Sequence, residues 1–274
     1  LRQPPTVDPD DPRLAVYRKV RDPELVRRAH RFLAEGRLLV RALLATPGYV
    51  IESVLVTPTA RAGLADALAA HPGLTVLEAT PAVLEAVCGI HFHQGCLAAA
   101  WRPAPSTAGG LLARVPGSGP LVVLERISNP DNVGAIFRSA RALGAAGVVL
   151  SRSCASPLYR KALRASMGAA LTLPFAHDAE ALEASWDTLE AAGVVMVALT
   201  PSADALALPD WLASRDPTCR VALVLGAEGE GLSRTALERA QVRVRIPMRP
   251  GPDSINVAAA AAIALYALGA LGGV

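Results

Sequence analysis

The 274-residue sequence predicts an α/β protein of two domains, the second built on a parallel sheet. Three observations predict it. Short apolar runs alternate with helical segments through the C-terminal half, the pattern of parallel strands buried on both faces. A seam from Arg102 to Pro120 places eight Pro or Gly in nineteen residues and reads as a linker. Hydrophobic residues make up 52% and charged residues 19%, enough apolar side chain for a sizeable core.

The opening "LRQPPTVDPDDP" is rich in Pro and Asp and reads as a frayed tail over residues 1–13. Residues 14–102 form the smaller domain. Within it "DPELVRRAHRFLAEGRLLVRALLA" has helical spacing, with Leu25, Ala29, Phe32 and Leu33 on one side. "IESVLVT", "LTVLEA" and "GCLAAAW" read as strands, and "ARAGLADALAAH" and "TPAVLEAVC" as helices. After a linker over residues 103–120, residues 121–274 repeat the alternation more regularly. The strand candidates are "LVVLERI", "GVVLS", "ALTLPF", "VVMVALT", "RVALVLG" and "VRVRIPM". Helices are predicted over Val133–Leu143, Leu158–Ser166, Ala179–Ala192, Arg234–Ala240 and Ile255–Leu271. The stretch Val257 to Val274 is uncharged and as long as a membrane span, but its Ala and Gly content suits a helix buried at a core or subunit interface. No secretory pattern opens the chain, and four cysteines make no disulfide framework. The expectation is a cytoplasmic protein without a membrane partner.

The net charge of +3 is mild, yet nine Lys or Arg face three Asp or Glu between Arg13 and Arg41. Such a stripe can track a phosphate backbone, or be a solvated face in a chain whose basic residues are nearly all Arg. Aromatic residues are only 4%, against an extended base-stacking platform.

Three strand ends carry unusual residues, where open α/β sheets bind ligands. In "SNPDNVGAIFRSA", Asp131 or Asn132 can cap a helix on which Gly134 and Arg138 lie four apart, leaving room for a ligand beside a guanidinium. In "LVLGAEGEGLSR", Gly226, Gly229 and Gly231 surround Glu228. The spacing reverses the dinucleotide fingerprint, no Lys-Ser/Thr follows, and the acid repels phosphate, so a ligand with a ribose or a positive centre fits better. In "IPMRPGPDSINVAAAAAIAL", Ser254 and Asn256 stand at the mouth of an Ala-rich helix, Ser254 as a natural cap. A fourth cluster, Cys88, His91, His93 and Cys96, has zinc-ligand residue types, but the Cys and His fall on opposite strand parities, and no metal is predicted. Cys154 and Cys219 read as buried thiols.

Taken together, "NPDNVGAIFRSARALGA", "LVLGAEGEGLS" and "VRIPMRPGPDSINVAAAAAIALYAL" resemble the three motifs of the SpoU (TrmH-like) branch of the SPOUT RNA methyltransferases, in the same order. "KALRASMGAALTLPF" is similar to the stretch between the first two. The block ending "HQGCLAAAW" resembles the L30e-like RNA-recognition domain that many members carry. The resemblance implies S-adenosylmethionine-dependent methylation of a ribose 2′-hydroxyl in RNA, a C-terminal trefoil knot and a homodimer that builds the active site. By motif matching it implies that Leu225, Gly226, Ile246, Met248 and Ile255 line the cofactor, with Thr200 a further candidate. It makes Arg138 the essential arginine, with Asn132, Glu228, Ser254 and Asn256 around it as catalytic candidates. Ile255 stands where Leu is usual and Ala258 where Ser is common. The substrate it suggests first is 23S rRNA, then tRNA. A non-catalytic RNA-binding protein of the same fold and a nucleotide-using α/β enzyme are the rival readings.

Overall fold

A computed structural model of the chain describes residues 5–18, 22–89, 95–115, 117–177, 182–249 and 254–270. The chain separates into two compact units, residues 1–104 with 158–172, and residues 105–157 with 173–274. The return of residues 158–172 to the first unit was not legible in the sequence. "RKALRA", expected in the methyltransferase half, instead has Arg160 and Arg164 paired with Asp22 and Glu35 of the first unit.

In chain order the first unit begins with a 3-10 turn over Pro12–Tyr17, then α1 (Asp22–Arg27), β1 (Arg31–Glu35), α2 (Arg37–Ala45) and β2 (Ile51–Val56). α3 (Pro58–Gly63), α4 (Ala65–Ala69), β3 (Thr75–Glu78), α5 (Pro81–Cys88) and β4 (Cys96–Trp101) follow. Thr57 and Thr80 cap α3 and α5 by accepting from Ala60 and Val83 amides, each with Pro in the first turn. The segment expected to be one helix from Asp22 is cut by β1. His30 and Gly36, at φ of 51° and 94°, end the helical path on either side of Phe32, Leu33 and Ala34, all buried. A helical period in six residues does not outweigh ladder pairing on β4. The sheet runs β1-β4-β2-β3, with only β2 and β3 parallel. The described part of the expected tail, residues 5–13, is docked: the Val7 amide donates to Glu78 at 2.9 Å, and Val7 is buried.

The second unit opens inside the expected linker with α6 (Ala108–Leu112), capped by Thr107, whose Ala108 and Leu111 are buried in the core. Its two glycines disguised a short helix. β5 (Leu121–Leu124), α7 (Pro130–Ala142) and β6 (Gly147–Leu150) come next. The first unit then supplies α8 (Arg160–Ala165) and α9 (Ala169–Thr172), before β7 (Phe175–His177) and α10 (Leu182–Ala191). "ALTLPF" therefore is helix in its first half, and pairing starts at Pro174, whose carbonyl accepts from Val148. β8 (Val195–Leu199), β9 (Leu206–Ala207), α11 (Leu208–Ser214), β10 (Val221–Leu225), α12 (Arg234–Arg239), β11 (Val242–Arg245) and α13 (Val257–Ala270) complete it. The order is β7-β6-β5-β10-β8-β11-β9, and every pairing is parallel. Leu121, Val123, Val149, Met196, Ala222 and Val224 fill one core with Trp186 and Leu189 of α10. α13 packs along α7.

Candidate functional site

α7 begins where β5 ends, and Asn129, not Asp131 or Asn132, is its cap, accepting from the Asp131 amide at 3.0 Å with Pro130 in the first turn. That frees Asn132, one turn in and buried, to act elsewhere. On the facing helix the cap is Asn256, not Ser254: its Oδ1 accepts from the Ala258 amide at 2.9 Å. Bound in this way, the Asn256 amide must present its nitrogen outward. Nδ2 donates to Asn132 Oδ1 at 3.1 Å and to Glu228 Oε1 at 2.8 Å. One side chain therefore ties together the three stretches singled out in the sequence. Because Asn132 offers its oxygen to Asn256, its own Nδ2 is left buried with no partner among the described residues, a donor whose burial costs about 1–3 kcal/mol until something accepts from it.

Beside this node lies a cleft of about 460 Å³ at the carboxyl ends of β8, β10 and β11. All six residues expected to hold a cofactor line it: Thr200, Leu225, Gly226, Ile246, Met248 and Ile255. Glu228, Ser254 and Asn256 line it too. The Thr200 amide donates to Val244 at 3.0 Å, so β11 fixes where that loop leaves the sheet. A Cβ on Gly226 would stand 2.3 Å from the Gly231 carbonyl carbon and from the Leu232 nitrogen. Only glycine lets the loop fold back so closely, and an Ala227–Gly231 bridge, with a 2.9 Å hydrogen bond, closes it.

Arg138 is the one predicted site residue outside this cluster. It is exposed on α7 and makes no hydrogen bond or ion pair among the described residues, while Gly134 is buried. The pair therefore does not form the open ledge expected from its spacing. Sequence reasoning also missed Glu125 and Arg126 at the end of β5. Glu125, buried, accepts from the Ser233 amide at 2.8 Å, and Arg126 reaches Glu230 and Gly231. Only their place after a strand, just ahead of the first motif, could have signalled them.

The basic stripe is partly neutralised. Arg13, Arg31 and Arg41 pair with Asp11, Glu52 and Asp66, whereas Arg27, Arg28 and Arg37 have no ion pair among the described residues. Arg102 is half-buried without a carboxylate partner among them; burial, with the Arg27 charge near it, pulls its guanidinium below the ordinary value. His91 and His93 lie outside the described residues. Burial pushes the Cys88 thiol up to about 11 and Cys96 up to about 12, so both are neutral. Among the described residues no His/Cys/Asp/Glu group could hold a metal, and no helix is long and apolar enough to cross a membrane. Cys154 is buried as expected, but Cys219 is exposed because it sits in the turn before β10.

Residues 119–266 match the SpoU rRNA Methylase family. The chain belongs to that family. Its sequence is 41% identical over 268 residues to an uncharacterized tRNA/rRNA methyltransferase of Mycobacterium tuberculosis, covering 94% of this chain and 89% of that one. The fold is similar to an AdoMet-bound rRNA methyltransferase from Sinorhizobium meliloti, with a TM-score of 0.77, 26% identity and 96% of both chains covered. It is also similar to an RNA 2′-O ribose methyltransferase, with a TM-score of 0.69, 29% identity, and 97% and 98% of the two chains covered. Membership of the SpoU family makes this protein an RNA methyltransferase with the α/β fold of its SPOUT neighbours. Its motif residues are those that form the Asn256 node.

Proposed function

We propose that the chain is an S-adenosylmethionine-dependent methyltransferase that modifies a ribose 2′-hydroxyl in RNA, with ribosomal RNA the first choice of substrate and tRNA the second. The observation that carries this reading is the Asn256 node, which binds Asn132 and Glu228 together at the mouth of the glycine-lined cleft. The cleft suits the cofactor: Gly226 leaves a cradle that a Cβ would fill, the lining is mixed polar and apolar, and the acid in the loop repels phosphate but tolerates a positive centre. Leu225, Gly226, Ile246, Met248 and Ile255 would hold it largely through backbone, with Thr200 at the edge. When bound, the cofactor supplies an electrophilic methyl group on a sulfonium.

The protein's own residues must place the 2′-oxygen and manage its proton. Positioning supplies much of the acceleration in such a displacement. The unpaired Asn132 amide offers a donor beside the cleft, and Ser254 and Asn256 shape its rim. A guanidinium presents donors and no acceptor, so Arg138 suits a phosphate contact and the stabilisation of developing alkoxide charge better than proton abstraction. Its exposure on α7 is consistent with a homodimer in which it completes a partner's cleft. An apolar stripe of Ala259, Ile263 and Tyr266 on α13, the last two 43% and 66% exposed, supports α7 and α13 as that interface. The trefoil knot belongs to the same reading. So does an RNA-binding role for the first unit, where Arg27 and Arg28 are exposed and have no ion pair among the described residues.

The test is transfer from labelled S-adenosylmethionine to total RNA, followed by digestion to nucleosides. Label should appear on ribose, in rRNA before tRNA. Label on bases sinks the 2′-hydroxyl assignment, and no cofactor-dependent transfer favours a non-catalytic RNA-binding protein.

A further inference from the structure

At the end of β5 the chain puts Arg126 at a φ of 57°, in the left-handed region that glycine adopts freely and an L side chain only at a cost. An arginine here needs a compensating gain, and its contacts supply one. Its amide donates to Ser151 Oγ at 3.0 Å. Its guanidinium then spans to the glycine loop, donating to Glu230 Oε2 at 2.9 Å and to the Gly231 carbonyl at 3.3 Å. Gly231 is the residue that folds back over Gly226. The preceding residue, Glu125, holds the far side of the same loop through the Ser233 amide. Two consecutive residues just after β5 therefore fasten both the crest and the exit of the loop that lines the cleft, while Asn256 fastens its middle through Glu228.

We propose that Arg126 is a positioning residue: it latches the loop from Gly226 to Gly231 in the shape that receives the cofactor, and so sets cofactor affinity without touching the reacting atoms. The inference rests on reading the cleft as the cofactor site. Its left-handed φ is part of the argument, since the latch requires the side chain to leave the strand toward the loop rather than along it. The exposed ion pair with Glu230 adds little by itself; the Gly231 carbonyl contact is the arm that governs backbone shape.

The experiment compares wild type with Arg126→Gly, Arg126→Lys and Glu230→Gln by four readouts. Calorimetric binding of S-adenosylhomocysteine should weaken about 5–10-fold in R126G, about 2–3-fold in R126K and less than about 2-fold in E230Q. With saturating cofactor, kcat should stay within about 2-fold in R126G, so the effect falls on KM. The melting temperature without ligand should stay within about 3 °C in R126G, because relief of the left-handed strain offsets the lost contacts. A purely structural role would lower stability and affinity together. The last readout reports on the loop itself and needs no cofactor: hydrogen exchange at the Gly231 amide in the free protein should speed up about 10-fold in R126G. Unchanged exchange there, or a loss of kcat with unchanged affinity, overturns the latch. If wild type fails to bind S-adenosylhomocysteine, the reading of the cleft falls and exchange alone judges Arg126. Should R126G not fold, R126K decides, and an unchanged loop in it overturns the proposal.

Discussion

The parallel sheet carries a polar network at each end, and the two differ in one respect. At the amino ends of β8 and β11, Glu190 accepts from Trp186 Nε1 at 3.0 Å, from Gln241 Nε2 at 2.8 Å and from Arg239 at 2.8 Å. Arg239 also holds Asp187 and lies 5.5 Å over the Trp186 ring, and Gln241 Oε1 accepts from the Met196 amide. Each of these polar groups finds a partner within the network. At the carboxyl ends, the Asn132–Asn256–Glu228 node is tied just as firmly, yet Asn132 Nδ2 is buried without a partner among the described residues and the rest faces a cleft. A closed network is a fastening. An unclosed one, with desolvation cost already met, waits for a ligand.

Arg138→Ala should show the largest effect on the open end. Turnover should fall about 100–1,000-fold with cofactor affinity held within about 2-fold, measured by single-turnover transfer and calorimetry. Lost cofactor affinity would move Arg138 from the RNA side to the cofactor side. Gly226→Ala comes next. Its Cβ meets backbone at 2.3 Å, so the loop must shift; affinity for S-adenosylhomocysteine should fall more than about 10-fold and stability by about 1–3 kcal/mol. Affinity retained in this variant would show that the loop does not line the ligand.

Glu190→Gln should show the smallest effect, and on stability alone. Burial works to raise the Glu190 carboxyl, but the bonds from Arg239, Trp186 and Gln241 outweigh it and hold the group below its ordinary 4.5. A depressed folded value means the stabilisation is present above the unfolded value and disappears as pH falls through the folded one. The variant should lose about 1 kcal/mol at neutral pH with unchanged turnover, and the gap to wild type should close in acid. Reduced turnover in E190Q would erase the distinction between the two networks.

Within one unit, then, composition does not separate the site from the fastening: both ends hold Glu, amide and Arg. The sequence does separate them in part. The glycine spacing around Glu228 and the arrangement of Asn132, Ser254 and Asn256 stood out, and nine of the eleven predicted residues line the cleft, with Asn132 bound to it through Asn256. Arg138 stood out equally but lies apart from them in a single chain. The strands of the parallel sheet were legible because continuous apolar runs are local signals. β1 was not, since Phe32 and Leu33 also satisfy a helical period, and α6 was hidden in a run of Gly and Pro.

By itself the sequence determined the α/β alternation, the two-part organisation and the residues that make the chain a SpoU-family methyltransferase. Those depend on short-range pattern and on residue chemistry at fixed spacing. Only the tertiary structure decided that Asn256 and Asn129, rather than Ser254 and Asp131, cap their helices, that residues 158–172 return to the first unit, and which arginines keep an unspent charge. It also decided that Arg126 reaches a loop 104 residues away. The reason is physical: a cap, an ion pair or a latch depends on which atoms meet in space, and sequence spacing does not specify which distant donor finds which acceptor.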